Sequence, residues 1–263
     1  MRIEIASVLE NKLIASNIWK MKMIAPNIAG EYKGAGQFIQ ILVQSSWVNP
    51  LRRPMSIAAV DGDKIEIIYK VFGEMTQLLS AKSAGEELDI LGPLGNTFEL
   101  YDNGHTPILV GGGVGLAPIL NMYDEFNLSE KDAFLIIGAR TGAEHFIEYE
   151  PQHNVLLTTD DGSIGIQGTV IPAIKKSMEK TNNPAIFACG PESMLKAVQE
   201  FAATSTVPAQ LSVESYMGCG IGICQGCVVE KVNGSVAKHS YHEKYSLVCI
   251  DGPVYRSEEV IFG

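Results

Sequence analysis

The sequence predicts three consecutive units: an antiparallel β-barrel, an α/β domain built on a parallel sheet, and a small cysteine-rich domain. Three patterns carry this expectation. Apolar and polar residues alternate through much of the first hundred positions, apolar runs and helical segments alternate after Gly104, and the stretch from Glu214 onward is rich in glycine and cysteine but poor in long periodic elements. The periods matter because strand side chains alternate between faces, whereas helix side chains return to one face every three to four residues.

In the first unit, period-2 segments predict strands at Arg2–Val8, Ile18–Met23, Phe38–Val43, Met55–Ala59, Ile65–Val71 and Leu88–Leu91, and one helix at Glu74–Lys82. Such short strands are best protected by closure, which removes exposed edges. In the second unit, buried strands are expected at Pro107–Val110, Ala133–Gly138, Asn154–Thr159, Ala185–Cys189 and Gln210–Val213, with helices at Leu116–Phe126, Thr169–Lys180 and Glu192–Phe201. That alternation signals an open parallel sheet with crossover helices. The polar, glycine-containing segment LYDNG suits a hinge, which sets the expected units at residues 1–101, 102–212 and 213–263.

A chain of 263 residues, 46% apolar and 19% charged, can build more than one core, and nothing in its composition suggests disorder. Its formal charge of −10, with basic runs no longer than the pair Arg52-Arg53, argues against nucleic acid as a partner. The stretch from Thr106 to Tyr123 is 18 residues without a charge, but four glycines and two prolines make it a strand, a turn and a helix start, not a membrane span. The N-terminus MRIEIASVLE has acidic residues and no apolar h-region, so a cytoplasmic chain is expected.

Four of the five cysteines fall in the tail: Cys219, Cys224, Cys227 and Cys249, spaced C-x4-C-x2-C with 21 residues before the fourth. Gly218, Gly220, Gly222 and Gly226 give the loop freedom to turn its amides toward the sulfurs. This spacing matches the plant-type 2Fe-2S pattern. Zinc is more commonly held by two C-x2-C pairs, and disulfides are disfavoured in a reducing compartment; both remain as alternatives. Cys189, in ACGPE, reads either as an inert buried thiol or as a residue at the carboxyl end of a sheet, where open sheets bind ligands.

The run Gly111, Gly112, Gly113 and Gly115 follows an apolar strand and precedes a helix, a context that lets a pyrophosphate approach free amides. The segments RRPMSI, IIYKVFGEMT, LGPLGN, GGGVGLAP, TDDGSIGIQG, ACGPESMLKAV and MGCGIGICQGCVV occur in that order. Together they resemble the electron-transfer subunits of two-component dihydroorotate dehydrogenase B, a branch of the ferredoxin reductase superfamily, over essentially the whole chain.

The resemblance implies FAD on Arg53, Pro54, Met55 and Ser56, on the backbone of Ile68, Tyr69 and Lys70, at Gly73 and Thr76 near its pyrophosphate, and beside the turn from Gly92 to Gly95. It implies a nicotinamide nucleotide among Gly111 to Gly115, Asp160 to Ser163, and Cys189, Gly190 and Pro191. No residue is assigned a catalytic role, since the cofactors FAD, 2Fe-2S and NAD carry the electrons. The implied partner is an FMN-containing dihydroorotate dehydrogenase catalytic subunit in a hetero-oligomer serving pyrimidine synthesis. The alternatives are the flavin subunit of a ferredoxin-NAD(P)H oxidoreductase or sulfide dehydrogenase, and a non-catalytic zinc module. The long gap before Cys249 is expected to form a surface excursion around Gly234 to Lys244.

Overall fold

In the computed structural model, which describes residues 1–47, 49–101, 104–128, 132–232 and 243–262, the alternating segments of the first unit close on themselves. Strands β1 (Arg2–Ala15), β2 (Ile18–Ile24), β3 (Phe38–Leu42), β4 (Arg53–Asp61), β5 (Lys64–Lys70) and β6 (Glu87–Leu94) form a barrel in the order β1-β2-β5-β4-β3-β6. Every neighbouring pair is antiparallel. Ile39, Ile41, Ile57, Ile65, Ile67 and Ile90 fill its interior. Helix α1 (Pro26–Glu31) follows β2, and α2 (Glu74–Ser80) follows β5.

Strand β1 runs well past Val8, because Glu10 to Leu13 continue the pairing with β2 up to a turn in which Asn17 takes a positive φ of 56°. The polar run LENK conceals this half of the strand from a period-2 reading.

The second unit is a seven-stranded sheet. Its elements are β7 (Thr106–Gly112), α3 (Leu116–Leu128), β8 (Phe134–Ala139), β9 (Val155–Thr159), β10 (Ile166–Gln167), α4 (Ile171–Met178), β11 (Pro184–Cys189), α5 (Glu192–Ser205) and β12 (Ala209–Ser212). The strand order β10-β9-β8-β7-β11-β12 is parallel throughout. The order in which strands are added reverses between β7 and β11, and crevices at such switch points are where open sheets receive ligands.

The tail contributes β13 (Val228–Lys231), β14 (Tyr245–Leu247), β15 (Val254–Arg256) and β16 (Val260–Ile261). Strands β14-β13-β16 make a small sheet, while β15 joins the large sheet antiparallel to β12. Cys227, Leu247, Val248 and Cys249 share one core with Phe38, Leu91 and Leu94 of the barrel and with Ile108 and Leu211 of the large sheet. The third unit is therefore packed onto both others. Of the expected surface excursion, residues 233–242 lie outside the described residues, as do residues 102 and 103 of the hinge segment. No helix among the described residues is long and apolar enough to cross a membrane.

Candidate functional site

The cysteine loop is organised by its own amides. The N–H groups of Ile221 and Cys224 donate to Cys219 Sγ at 3.4 and 3.3 Å, and that of Cys219 donates to Cys224 Sγ at 3.4 Å. Gly220 and Gly222 make this curl with φ of +72° and +80°, values that L side chains rarely adopt. Burial raises the Cys219 thiol, but the amides of Cys224 and Ile221 outweigh it and bring the pKa down to about 7. Thiolate is the ligating form of cysteine, so the loop is built to favour it.

Cys227 and Cys249 form the second, buried pair: burial first, and then the neighbouring Cys227 thiol, push Cys249 up to about 12. All five cysteines are free. Among the described residues no group of three or more His, Cys, Asp or Glu side chains is gathered tightly enough to hold a lone metal ion. The case for a cluster rests on the two sulfur pairs and the amide-lined loop. Of the two isoleucines in the loop, Ile221 packs on the common core, whereas Ile223 is 76% exposed, next to the exposed Cys224.

On the barrel, the two arginines differ. Arg52 is committed: Nη2 binds the Asp89 carboxylate and Nη1 the Asp89 carbonyl, both at 2.9 Å. Arg53 Nη1 reaches only the carbonyls of Leu51 and Arg52, at 3.2 and 3.3 Å, so its charge is free of any carboxylate among the described residues. A guanidinium left in this state suits a phosphate. Arg53→Ala is expected to lower retained flavin at least tenfold with little change in melting temperature. Arg52→Ala should instead lower the melting temperature and keep the flavin. Flavin absorbance after gel filtration, set beside thermal melts of both variants, decides between the two assignments.

The other residues expected at the flavin are placed differently from one another. Pro54, Met55 and Ser56 lie part-buried along β4. Tyr69 points into the barrel core, its hydroxyl paired with Asn11 Oδ1 at 2.8 Å, and only its backbone faces outward. Lys70 binds Glu144 at 2.9 Å, tying barrel to sheet. The Thr76 hydroxyl is used locally, accepting from the N–H groups of Phe72 and Gly73 and donating to the Gly73 carbonyl. It organises the start of α2, and its one hydroxyl hydrogen is taken up there.

At the switch point, the glycine run meets the Cys189 turn. A Cβ on Gly115 would stand 2.4 Å from the carbonyl carbon and oxygen of Cys189, and one on Gly112 or Gly190 would strike Met194. Gly111 pairs in register with Cys189, and a Cβ on it would strike Leu116. Gly113, with φ of +58°, has only Pro191 within 4 Å and is the open member of the run. Asp160 begins the segment after β9 with an exposed side chain, while Ser163 is fixed by Asp161 Oδ1 and by the Gly142 N–H, which donates to Ser163 Oγ at 2.7 Å.

Cys189 itself is 2% exposed, and burial followed by the nearby Glu214 carboxylate drives its thiol far above its ordinary value. Burial thus disfavours the thiolate, the form in which a cysteine attacks. Glu214, two residues beyond β12, is an exposed residue, yet the protein around its carboxyl holds it above the usual range. Sequence reasoning did not single it out; an acid directly after a buried strand was the available signal.

Asn96 was also missed. Its N–H donates to the Gly252 carbonyl at 2.7 Å, its Nδ2 donates to the carbonyls of Asp251 and Val254 at 3.0 and 2.8 Å, and its Oδ1 accepts from the Val254 N–H at 2.9 Å. The turn ending the barrel at Gly95 thus holds the segment that follows the fourth cysteine.

The chain resembles known proteins in two of its parts and over nearly its whole length. Residues 214–261 match the family described as the iron-sulfur cluster binding domain of dihydroorotate dehydrogenase B, and residues 109–200 match the oxidoreductase NAD-binding domain. The dihydroorotate dehydrogenase B (NAD(+)) electron transfer subunit of Bacillus pumilus is 36% identical, with 97% of this chain and 96% of that one covered. The protein of the same name from Caldanaerobacter subterraneus is 35% identical with 98% of each covered. Among solved structures, an NADH-dependent reduced ferredoxin-NADP oxidoreductase studied for flavin-based electron bifurcation superposes with a TM-score of 0.83 at 27% identity, covering 98% of this chain and 90% of that one. Phthalate dioxygenase reductase shares the fold, with a TM-score of 0.64 at 17% identity and 94% of each chain covered.

Proposed function

The chain belongs to the family of dihydroorotate dehydrogenase B (NAD(+)) electron transfer subunits, and from that premise we propose that it carries electrons between an FMN-containing dihydroorotate-oxidising subunit and NAD. Residues 1–101 hold FAD, 102–212 the nicotinamide nucleotide and 213–263 a 2Fe-2S cluster. When bound, the cluster supplies one-electron chemistry and FAD joins it to the two-electron exchange with NAD. The chain's own residues bind, orient and shield.

In this reading Cys219, Cys224, Cys227 and Cys249 ligate the cluster. Arg53 neutralises flavin phosphate, the β4 segment Pro54 to Ser56 and the backbone of Ile68 to Lys70 flank the ring, and the turns at Gly73 and Gly92 to Gly95 close around it. Gly111 to Gly115, Asp160, Ser163 and the Cys189 to Pro191 turn form the nucleotide crevice, with Cys189 as a filler of its wall. The observation that carries the reading is the Asn96 junction, which seats the cysteine unit on the last turn of the flavin barrel. Electron transfer needs cofactors held close, and this clamp supplies the rigidity for it.

The partner contact is assigned to the exposed edge of the cysteine loop, at Ile223 and Cys224, and the assembly to the cytoplasm. Mixing this holoprotein with the FMN-containing subunit should give a complex by gel filtration and NAD reduction on addition of dihydroorotate. Failure of both, with FAD, FMN and cluster verified, would favour the ferredoxin-linked reading that the bifurcating relative exemplifies.

A further inference from the structure

Gln40 lies on β3, with Ile39 and Ile41 on either side of it turned into the barrel core. It stands directly opposite Pro54 of the flavin strand β4 and Leu91 of β6. Its own side chain points the other way, out of the barrel, and is sealed there at 0% exposure. What seals it is the cysteine loop: a Cβ on Gly220 would stand 2.8 Å from Gln40 Nε2 and 2.9 Å from its Cγ. Gly220 is flanked by Cys219 and by Ile221, whose N–H donates to Cys219 Sγ.

Neither Nε2 nor Oε1 of Gln40 finds a hydrogen-bond partner among the described residues. A buried amide without partners carries its whole desolvation penalty, and an apolar side chain of the same shape would escape it. The same dry surroundings make its dipole act strongly on nearby charge. The amide is shut off from solvent, and the action it can have on charge held by the loop is electrostatic.

We propose that Gln40 is a positioning residue for electron transfer: its amide, nitrogen end toward Gly220, raises the reduction potential of the group held by Cys219. The inference rests on the 2Fe-2S ligation assigned above. Reduction adds one electron to a centre already negative from four thiolates, and no bond to Gln40 is made or broken. A donor dipole directed at the loop stabilises that added charge, because cluster potentials follow local charge, hydrogen bonding and exposure.

The test is a redox titration of the anaerobically purified holoprotein, monitored by cluster paramagnetic resonance, for wild type, Gln40→Met and Gln40→Leu. Both variants are expected to reduce about tenfold less readily at a given potential, a downward midpoint shift of about 59 mV for one electron. Both should also melt no lower than wild type, since an unpaired buried amide has been removed; a residue that only packs the junction would leave the potential where it was. An unchanged or raised midpoint overturns the proposal, as does loss of the cluster in both variants, which would make Gln40 a residue of assembly. Absence of any 2Fe-2S signal from the wild type would instead refute the ligation itself, so the two failures are distinct.

Discussion

Cys224→Ser is expected to remove the iron-sulfur signals of this protein while leaving its barrel and large sheet folded. Cys224 is the exposed member of the four cysteines proposed as ligands, and both its N–H and its Sγ are exchanged with Cys219 across the loop. Serine oxygen is a harder ligand than thiolate and a poor substitute in a cluster of soft sulfur donors. Folding has other anchors: β15 is paired with β12, Asn96 holds residues 251–254, and Leu247, Val248 and Val260 sit in the common core. Iron content and the reduced-state paramagnetic signal should fall to near zero. Bound FAD and its reduction by NADH should persist, since the barrel and the crevice are untouched. Cluster spectra identical to wild type would reject the ligand assignment.

The parts of the molecule legible in sequence are those whose cause is local. Barrel strands show in period-2 alternation, sheet strands in short apolar runs, and the cysteine loop in a spacing confined to nine residues from Cys219 to Cys227. Helix α1 is six residues long, contains Gly30 and has no side-chain cap, so it leaves almost no periodic trace. Strand β15 is three residues whose pairing partner lies more than forty positions earlier in the chain. The polar groups at the unit junctions are hidden for the same reason. Asn96 acts on carbonyls 155 and 158 positions away, and Gln40 meets Gly220 only because β3 is covered by the tail. A lone Asn or Gln in a strand or turn carries no mark of such a partner.

The glycine run is a mixed case, since its location was legible but part of its purpose was not. From sequence, Gly111 to Gly115 make room for a pyrophosphate; in the structure, Gly111, Gly112 and Gly115 make room for the protein's own Leu116, Met194 and Cys189. Close packing of one loop on another builds the crevice before any ligand enters it. Two uses of glycine therefore share one motif, and mutation can separate them.

Gly115→Ala is the sharpest such separation and the second large effect expected. The added methyl would stand 2.4 Å from the Cys189 carbonyl, well inside van der Waals contact, and the obstacle is backbone. Strand β11 cannot yield easily, because Cys189 is held in register between Gly111 of β7 and Ser212 of β12. Relief must come from the start of α3, which carries Ala117 against Ile68 and Ala58 of the barrel and donates from Asn121 Nδ2 to the Ile57 carbonyl at 3.0 Å. Moving α3 thus widens the crevice and loosens the barrel against the sheet together. Overpacking of this kind costs about 1–3 kcal/mol, and a backbone obstacle places Gly115→Ala at the upper end, about 3 kcal/mol. Flavin reduction by NADH should slow by roughly a hundredfold, the scale of loss when reacting groups are displaced by about 1 Å. Gly30→Ala, inside helix α1 with nothing within 4 Å of the new Cβ, is the matched control and should be no less stable than wild type and reduce its flavin at the wild-type rate. Urea unfolding and stopped-flow flavin reduction measure both effects. A Gly115→Ala protein with wild-type stability and wild-type reduction rate would show that the two turns do not meet as described, and that the crevice owes its shape to something other than their contact.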